Sequence, residues 1–567
     1  MKKVWIYAVI TAFVGILSGC LDNNNSYDYK QINEMQGGAN NFGNFSTEYS
    51  VFSGQELKLE PTFKFTMDSI SPDVSYEWYL NHKLLTEETG PTYTFLSDRG
   101  GTYEVTFAVQ DNKTGVKFSS STFVKVRSVY QRGWVILSEE NGRSILHFII
   151  PDTYKYSVTY NGTTFMRDSL VYHEVRRDIV PDLGTNPVGL MNNIGDMDYS
   201  GDYGIEVYDE LVVKQDTWVE LNGNTFEREV YTYQEFGDVS QVPEDFSPVE
   251  AAMTYSAKAV RDKNGQIYWE NKGDVTDFHA GFYTPVGLNN NTLFSRLFEA
   301  YKFNQHYTNV FLALTKEDNS FVGILDLGYA YGGTTITENS SYSSGNVYAI
   351  TEESATHFSN VEKEVVDARP VPYESSNDIS SAEACWVALL KNDANQYDLW
   401  YFTLKGSKTK VTCEDFYENS LGVISDYRDM AVFGNKRYTV IANGNQLYYY
   451  QFGSDYWTGT EYKGNLQPLG EAFPSKIKSL SCIDVENNTY LQKYPYNGQL
   501  GVALEDGSFY IFGVEETKNE ETGVCTGAKI KQLFPNETTS EENKNFGKIV
   551  DVLYKLGRGM DYMSFSF

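Results

Sequence analysis

Seven hairpin-like segments recur after residue 130, and most share one short pattern: a strand, a turn rich in Asn, Asp and Gly, and a second strand with aromatics at alternate positions. The segments are SEENGRS, ELNGNTF, RDKNGQIYW, TKEDNSFVGIL, KNDANQYDLWYF, IANGNQLYYY and ALEDGSFYIFG. Turns of this composition accept the positive φ that a tight hairpin needs, and the alternation lets each strand bury one face. Their starts lie roughly 40 to 80 residues apart, close to the length of a four-stranded blade with irregular insertions. The pattern restricts the chain to antiparallel all-β architectures. A β-propeller over residues 129–567, for which seven blades fit, is the leading expectation, and an assortment of β-sandwiches is the alternative. Residues 150–200 alternate only loosely and read as a long excursion from the first blade.

A different pattern fills residues 45–128. LKLEPTFKF, SYEWYLN, TYTFL, GTYEVTFAVQD and VKFSSSTFVKV alternate apolar and polar residues over several positions, as the strands of a two-sheet sandwich do. Trp78 in YEWYL is placed like the buried tryptophan of an immunoglobulin-like fold, and Tyr103 in GTYEVTF like the tyrosine of its corner. The DNKTG stretch, Asp111 to Gly115, makes a tight hairpin turn. With no cysteine pair nearby, this segment resembles the PKD branch of such domains.

The front of the chain is an export signal. Lys2 and Lys3 precede an apolar run, Val4 to Leu17, that is short for a membrane span and is followed by small residues. Leu17-Ser18-Gly19-Cys20 resembles the bacterial lipobox, which makes Cys20 the lipid-anchored first residue of the mature protein. Residues 21–44 carry few apolar side chains and much Asn and Gly, and read as a flexible tether. The body beyond them is strongly acidic, with 76 Asp and Glu against 46 Lys and Arg and a formal charge of −30. That excess opposes nucleic-acid binding.

The SYDYKQINE portion after Cys20, the sandwich and the QRGWVILSEENGRSILHFI segment together resemble the PKD-like lipoproteins of Bacteroidetes. In that group a tyrosine-rich YDY segment follows the lipid cysteine, and a GW-apolar-LS segment opens a long propeller-like C-terminal region. The resemblance implies an outer-membrane lipoprotein facing the cell exterior, encoded beside a SusC/SusD-like TonB-dependent importer.

Local chemistry is sparse. Asp196, Asp198, Ser200 and Asp202 place oxygen donors at alternating positions with a turn glycine, as a calcium loop requires, although Val207 occupies the twelfth position where an EF-hand carries Glu. The bland reading is a solvated acidic loop. Tyr329 and Tyr331 in LGYAYGGTT and Trp457 in SDYWTGTEYKG sit beside glycines, where flat rings stack on a sugar or clasp a peptide unless they pack between blades. No GxSxG, Walker or HExxH motif is present, and pairs such as His173-Glu174 or Asp277-Phe-His279 are ordinary neighbours. Cys385, Cys413, Cys482 and Cys525 form no CxxC pair.

The expected function is therefore non-enzymatic, with no required cofactor; if the 196–202 loop holds an ion at all, it is a structural calcium. The chain would be an accessory of the importer and its lid lipoprotein, contributing to capture of an oligosaccharide or oligopeptide. A surface hydrolase of glycans or peptides is the second reading, which acids converging in the propeller channel would favour. A structural or adhesive surface protein is the third.

Overall fold

A computed structural model of the protein describes residues 32–555, apart from isolated positions and the segments 194–208, 272–278, 301–308, 327–344, 372–380, 434–437, 453–465, 484–497 and 519–524. Among the described residues the chain is all-β, with only short 3-10 turns between strands. It divides into two units, the first closing at Val126 and the second running from Arg127.

The first unit is the expected sandwich. Its larger sheet has the strand order Glu48–Phe52, Lys117–Arg127, Gly101–Asp111, Val74–Leu80, Lys83–Leu84, and Leu57–Leu59 pairs with Tyr93–Phe95 in the smaller one. Trp78 is fully buried against Phe107, with ring centroids 4.5 Å apart, and its Nε1–H donates to the Gly90 carbonyl at 3.0 Å. A buried indole is stable in such a core only when its one donor is satisfied. Tyr103 bonds the Ser97 hydroxyl at 2.8 Å, so its corner closes on a side chain. The Asp111–Gly115 turn is closed by the Gly115 N–H on the Asp111 carbonyl at 2.7 Å.

One expectation needs correction. Residues 21–31 lie outside the described residues, but the later part of the stretch read as tether belongs to the sandwich. Met35 bridges Phe65, Gly43 bridges Thr62, and Met35 and Phe42 are buried in the core. Two apolar side chains spaced seven apart in a polar stretch do not show in composition, yet they anchor it.

The second unit is a β-propeller. Its described strands form consecutive antiparallel groups of four, each numbered here as a blade by its first strand: Gly189–Asn192 opens blade 2, Pro248–Met253 blade 3, Phe294–Leu297 blade 4, Glu364–Val371 blade 5, Tyr427–Phe433 blade 6 and Ile477–Ile483 blade 7. Blade 1 is completed from both ends of the unit. Lys548–Lys555 pairs with Gly133–Glu140, which continues into Arg143–Tyr160 and Thr163–Arg176. Closing the ring with the last strand covers the end faces that a linear row of sheets would expose and leaves only short outer edges. Each of the seven hairpin signatures falls in a different group. In SEENGRS, Glu140 pairs with Arg143 across Asn141 and Gly142, both at positive φ (53° and 82°), the geometry of a two-residue hairpin. Residues 150–176, where alternation was loose, remain in blade 1 as a long ribbon.

Blades 4 and 5 are also joined at their outer strands. Val347–Thr351 pairs in parallel with Lys410–Ser420 through Ile350 and Val411, merging the two blades into one eight-stranded sheet.

Candidate functional site

The residues singled out in the sequence for lipid, ligand and calcium, namely Cys20, Tyr329, Tyr331, Trp457, Asp196, Asp198, Ser200 and Asp202, all lie outside the described residues. Among the described residues Cys385, Cys413 and Cys482 form no disulfide with one another. The described chemistry lies elsewhere, at the joints between blades.

The first strands of blades 3 and 4, of blades 5, 6 and 7 in succession, and of blades 7 and 2 with Lys548–Lys555 of blade 1 neighbour one another, so they line the central channel. Six of them carry a register shift near their start, between Pro248 and Glu250, Phe294 and Arg296, Val365 and Asp367, Tyr427 and Asp429, Ile477 and Ser479, and Ile549 and Asp551. A β-bulge re-aims the side chain beside it. In every case the residue after the shift is polar, giving a belt of Glu250, Arg296, Asp367, Asp429, Ser479 and Asp551.

The belt ties the blades together at every joint but the one between blades 2 and 3. Asp551 accepts the Leu190 N–H of blade 2 at 2.8 Å, Glu250 the Leu297 N–H of blade 4 at 2.6 Å, and Asp429 the Leu480 N–H of blade 7 at 2.6 Å. Arg296 donates to Glu250 at 2.7 Å and to the Val365 and Val366 carbonyls at 3.2 Å, joining blades 3, 4 and 5. Arg369 donates to Asp367 at 3.0 Å and to Asp429 at 2.9 Å, and the Tyr427 hydroxyl donates back to Asp367 at 2.6 Å, joining blades 5 and 6. Ser479 donates to Asp551 at 2.7 Å and links blade 7 to blade 1. Acids do converge on the channel, as a hydrolase would need. Between Asp367 and Asp429, however, stands a guanidinium, where a glycosidase leaves a gap for sugar and water. The arrangement holds blades together.

The joint between blades 2 and 3 is built differently. The position matching the belt in blade 2 is Gly189, where a Cβ would come within 3.2 Å of Asp551 Oδ2. With no side chain, Gly189 cannot reach blade 3, and a buried charge cluster spans this joint instead. Lys258 in blade 3 donates to Glu220 at 2.6 Å, Glu235 at 3.1 Å and Glu210 at 3.4 Å, and lies 3.3 Å from Glu270, its cross-strand partner. Glu210 and Glu220 belong to blade 2, and Glu235 to the 3-10 turn Thr232–Phe236. These five side chains are at most 2% exposed.

His279 closes the cluster on its outer side. Its Nδ1 lies 2.6 Å from Glu235 Oε1 and 4.0 Å from Glu220 Oε2, and its Nε2 lies 3.1 Å from Glu229 Oε2. Burial alone would pull the ammonium of Lys258 down, but the four carboxylates around it hold it well above the ordinary lysine range. Burial likewise opposes charge on His279, yet Glu229 and Glu235 push it up to about 10. Burial pushes the Glu220 carboxyl well above the usual range against the pull of Lys258. Sequence reading took His279 as an ordinary neighbour of Asp277, and no spacing rule marks its partners, which lie 44 and 50 residues away.

Two buried groups set opposite responses to pH. Burial raises Asp429 from 3.8 to about 6 against the pull of Arg369, so the stability it contributes is full below pH 3.8 and is lost as pH rises through 6. Burial, reinforced by Arg177, lowers His147 from 6.5 to about 4, so its contribution is present above pH 6.5 and is lost as pH falls through 4. His147→Gln is therefore expected to remove an acid penalty of about 3 kcal/mol between pH 7 and 4. Urea unfolding of parent and variant at four pH values checks this, and parallel stability profiles would refute it.

Residues 20–176 match the model of the PKD-like family, a span that covers the sandwich and ends with the last strand of blade 1. No curated protein matches the sequence. Solved structures similar to the chain include a quinoprotein alcohol dehydrogenase-like protein from Bacteroides thetaiotaomicron, with 10% identity, 91% of this chain and 96% of that one covered, and a TM-score of 0.23. The Dos1 propeller is similar at 10% identity over 75% of this chain and 88% of that one, with a TM-score of 0.34. Prp20p from Saccharomyces cerevisiae is similar at 9% identity over 68% and 82%, with a TM-score of 0.32.

Proposed function

We infer that this chain is a non-enzymatic, lipid-anchored lipoprotein on the outer face of the outer membrane, an accessory to a SusC/SusD-like TonB-dependent importer. The observation that carries the reading against a hydrolase is the belt, whose acids are committed to backbone N–H groups and arginines at the blade joints. A carboxylate locked between a guanidinium and an amide is poorly placed to exchange protons with a substrate. The export signal, Cys20 and the PKD-like front segment support the surface address and the importer link. In this reading the sandwich is a spacer, and the propeller offers its loops to the importer, the lid lipoprotein or an oligosaccharide or oligopeptide. Tyr329, Tyr331 and Trp457 would be the contact rings, and Asp196, Asp198, Ser200 and Asp202 would hold a structural calcium ion.

The test is a mild-detergent pull-down from native outer membranes on a C-terminal tag, with a Cys20→Ala control. The reading expects a TonB-dependent barrel and its lid lipoprotein to co-purify in near-equal amounts with the lipidated protein. Recovery of the protein alone would overturn it, and release of sugars or peptides from surface polymers by the purified chain would favour the hydrolase.

A further inference from the structure

We propose that Glu210, Glu220 and His279 form a binding site for a divalent transition-metal ion, of the kind zinc represents, at the joint between blades 2 and 3. One ligand atom from each of these residues lies within 4.8 Å of the others, close enough for one ion to touch all three. Two carboxylates and an imidazole suit a borderline cation better than calcium, which takes an all-oxygen shell.

The supporting groups are already in place. The Glu210 N–H is fixed by Asn193 at 2.8 Å, and one Glu220 oxygen accepts the Thr232 hydroxyl at 2.7 Å, leaving its other oxygen toward Lys258 and His279. Glu229 on His279 Nε2 is the outer carboxylate that metal-bound histidines usually carry, and it holds the ring proton on Nε2, while Nδ1 exchanges its 2.6 Å contact with Glu235 for the ion. His279 and Glu229 are 18% and 19% exposed, which provides a path to solvent.

Charge makes the same demand. Around the joint stand five carboxylates, those of Glu210, Glu220, Glu229, Glu235 and Glu270, against two cations, Lys258 and His279. An uncompensated excess of negative charge in a site this dry must be balanced by protons or by a bound cation. A second observation points to a ligand. Tyr283 is 6% exposed, its ring centroid is 5.7 Å from Lys258 Nζ, and among the described residues its buried hydroxyl meets no hydrogen-bond partner. When the ion binds, Nδ1 of His279 gives its proton to solvent, while Lys258 stays with Glu235 and Glu270.

The probe is zinc itself, applied to the full chain carrying Cys20→Ala. After loading and removal of free ions, the parent should retain about one zinc per chain that excess calcium does not displace, and its unfolding temperature should fall when a chelator is added. His279→Gln and Glu220→Gln should each abolish retention, and Glu229→Gln should weaken it about 10- to 100-fold. Glu229 is partly exposed, so its variant should fold even if the buried ones do not. Cobalt gives a second readout, a visible band in the parent that His279→Gln lacks. No retained zinc in the folded parent, or equal retention in parent and Glu229→Gln together with an unchanged cobalt band in His279→Gln, overturns the proposal and leaves protons to balance the cluster.

Discussion

Lys258→Met is expected to cost the propeller about 3–5 kcal/mol, read as a lower urea midpoint at pH 7 in the presence of a chelator. The methionine keeps most of the stem volume, so the change isolates the ammonium. That group lies within 3.4 Å of oxygens from Glu210, Glu220, Glu235 and Glu270, all of them buried. Without it the carboxylates face one another in a medium that screens poorly, and they must take up protons or draw in water. The loss also strikes the one joint that Gly189 leaves without a belt side chain, so blade 2 loses its grip on blade 3. Adding Glu270→Leu should recover part of the loss, because a buried pair replaced on both sides by apolar groups costs far less than one broken on one side. Lys58→Met, at a lysine whose side chain is 64% exposed, is the control and should shift stability by under about 0.5 kcal/mol. If the two lysine variants melt alike, Lys258 is not the electrostatic centre of the joint.

The hairpins were legible in the sequence because their chemistry is local. Asn141-Gly142 and the other turn residues announce their backbone conformation within a few positions, and the alternating aromatics beside them mark the buried face. Trp78 was legible for the same reason. The belt was not. Its members are one acid, arginine or serine in each of six blades, and nothing distinguishes Glu250, Asp367, Asp429 or Asp551 from the other acids among 76 until the bulge before each turns it toward the neighbouring blade. A bulge leaves no compositional mark. Lys258 was not legible, since its strand AKAVRD also carries Arg261 and Asp262 and one lysine among them reads as an exposed position. That the partners would come from two blades and a 3-10 turn is a matter of tertiary packing. Met35 and Phe42 failed in the opposite sense, because two apolar residues were outweighed by the Asn and Gly around them.

Ending the chain at Gly547 is expected to unfold the propeller while leaving the sandwich intact. The deleted strand, Lys548–Lys555, pairs with Gly133 through Glu139 and buries Ile549, Val552 and Tyr554. Each of those side chains is worth about 1.5–3 kcal/mol. The Tyr554 ring packs 5.0 Å from that of Trp134. Asp551 is the belt residue that links blade 1 to blades 2 and 7. Lys555 forms a fully buried ion pair with Asp209 at 2.7 Å, and its removal strands that carboxylate at a cost of about 3–5 kcal/mol. Together these losses approach the whole stability of an ordinary domain, about 5–15 kcal/mol, so the ring should open rather than weaken. Asp551→Ala removes only the belt bonds and should cost about 1–3 kcal/mol while the protein stays folded. Limited proteolysis separates the outcomes. The truncated chain should be cut throughout residues 127–547 while the sandwich survives, and Asp551→Ala should resist like the parent at low temperature. A truncated chain that resists protease and melts with the parent would mean that Lys548–Lys555 does not close the ring.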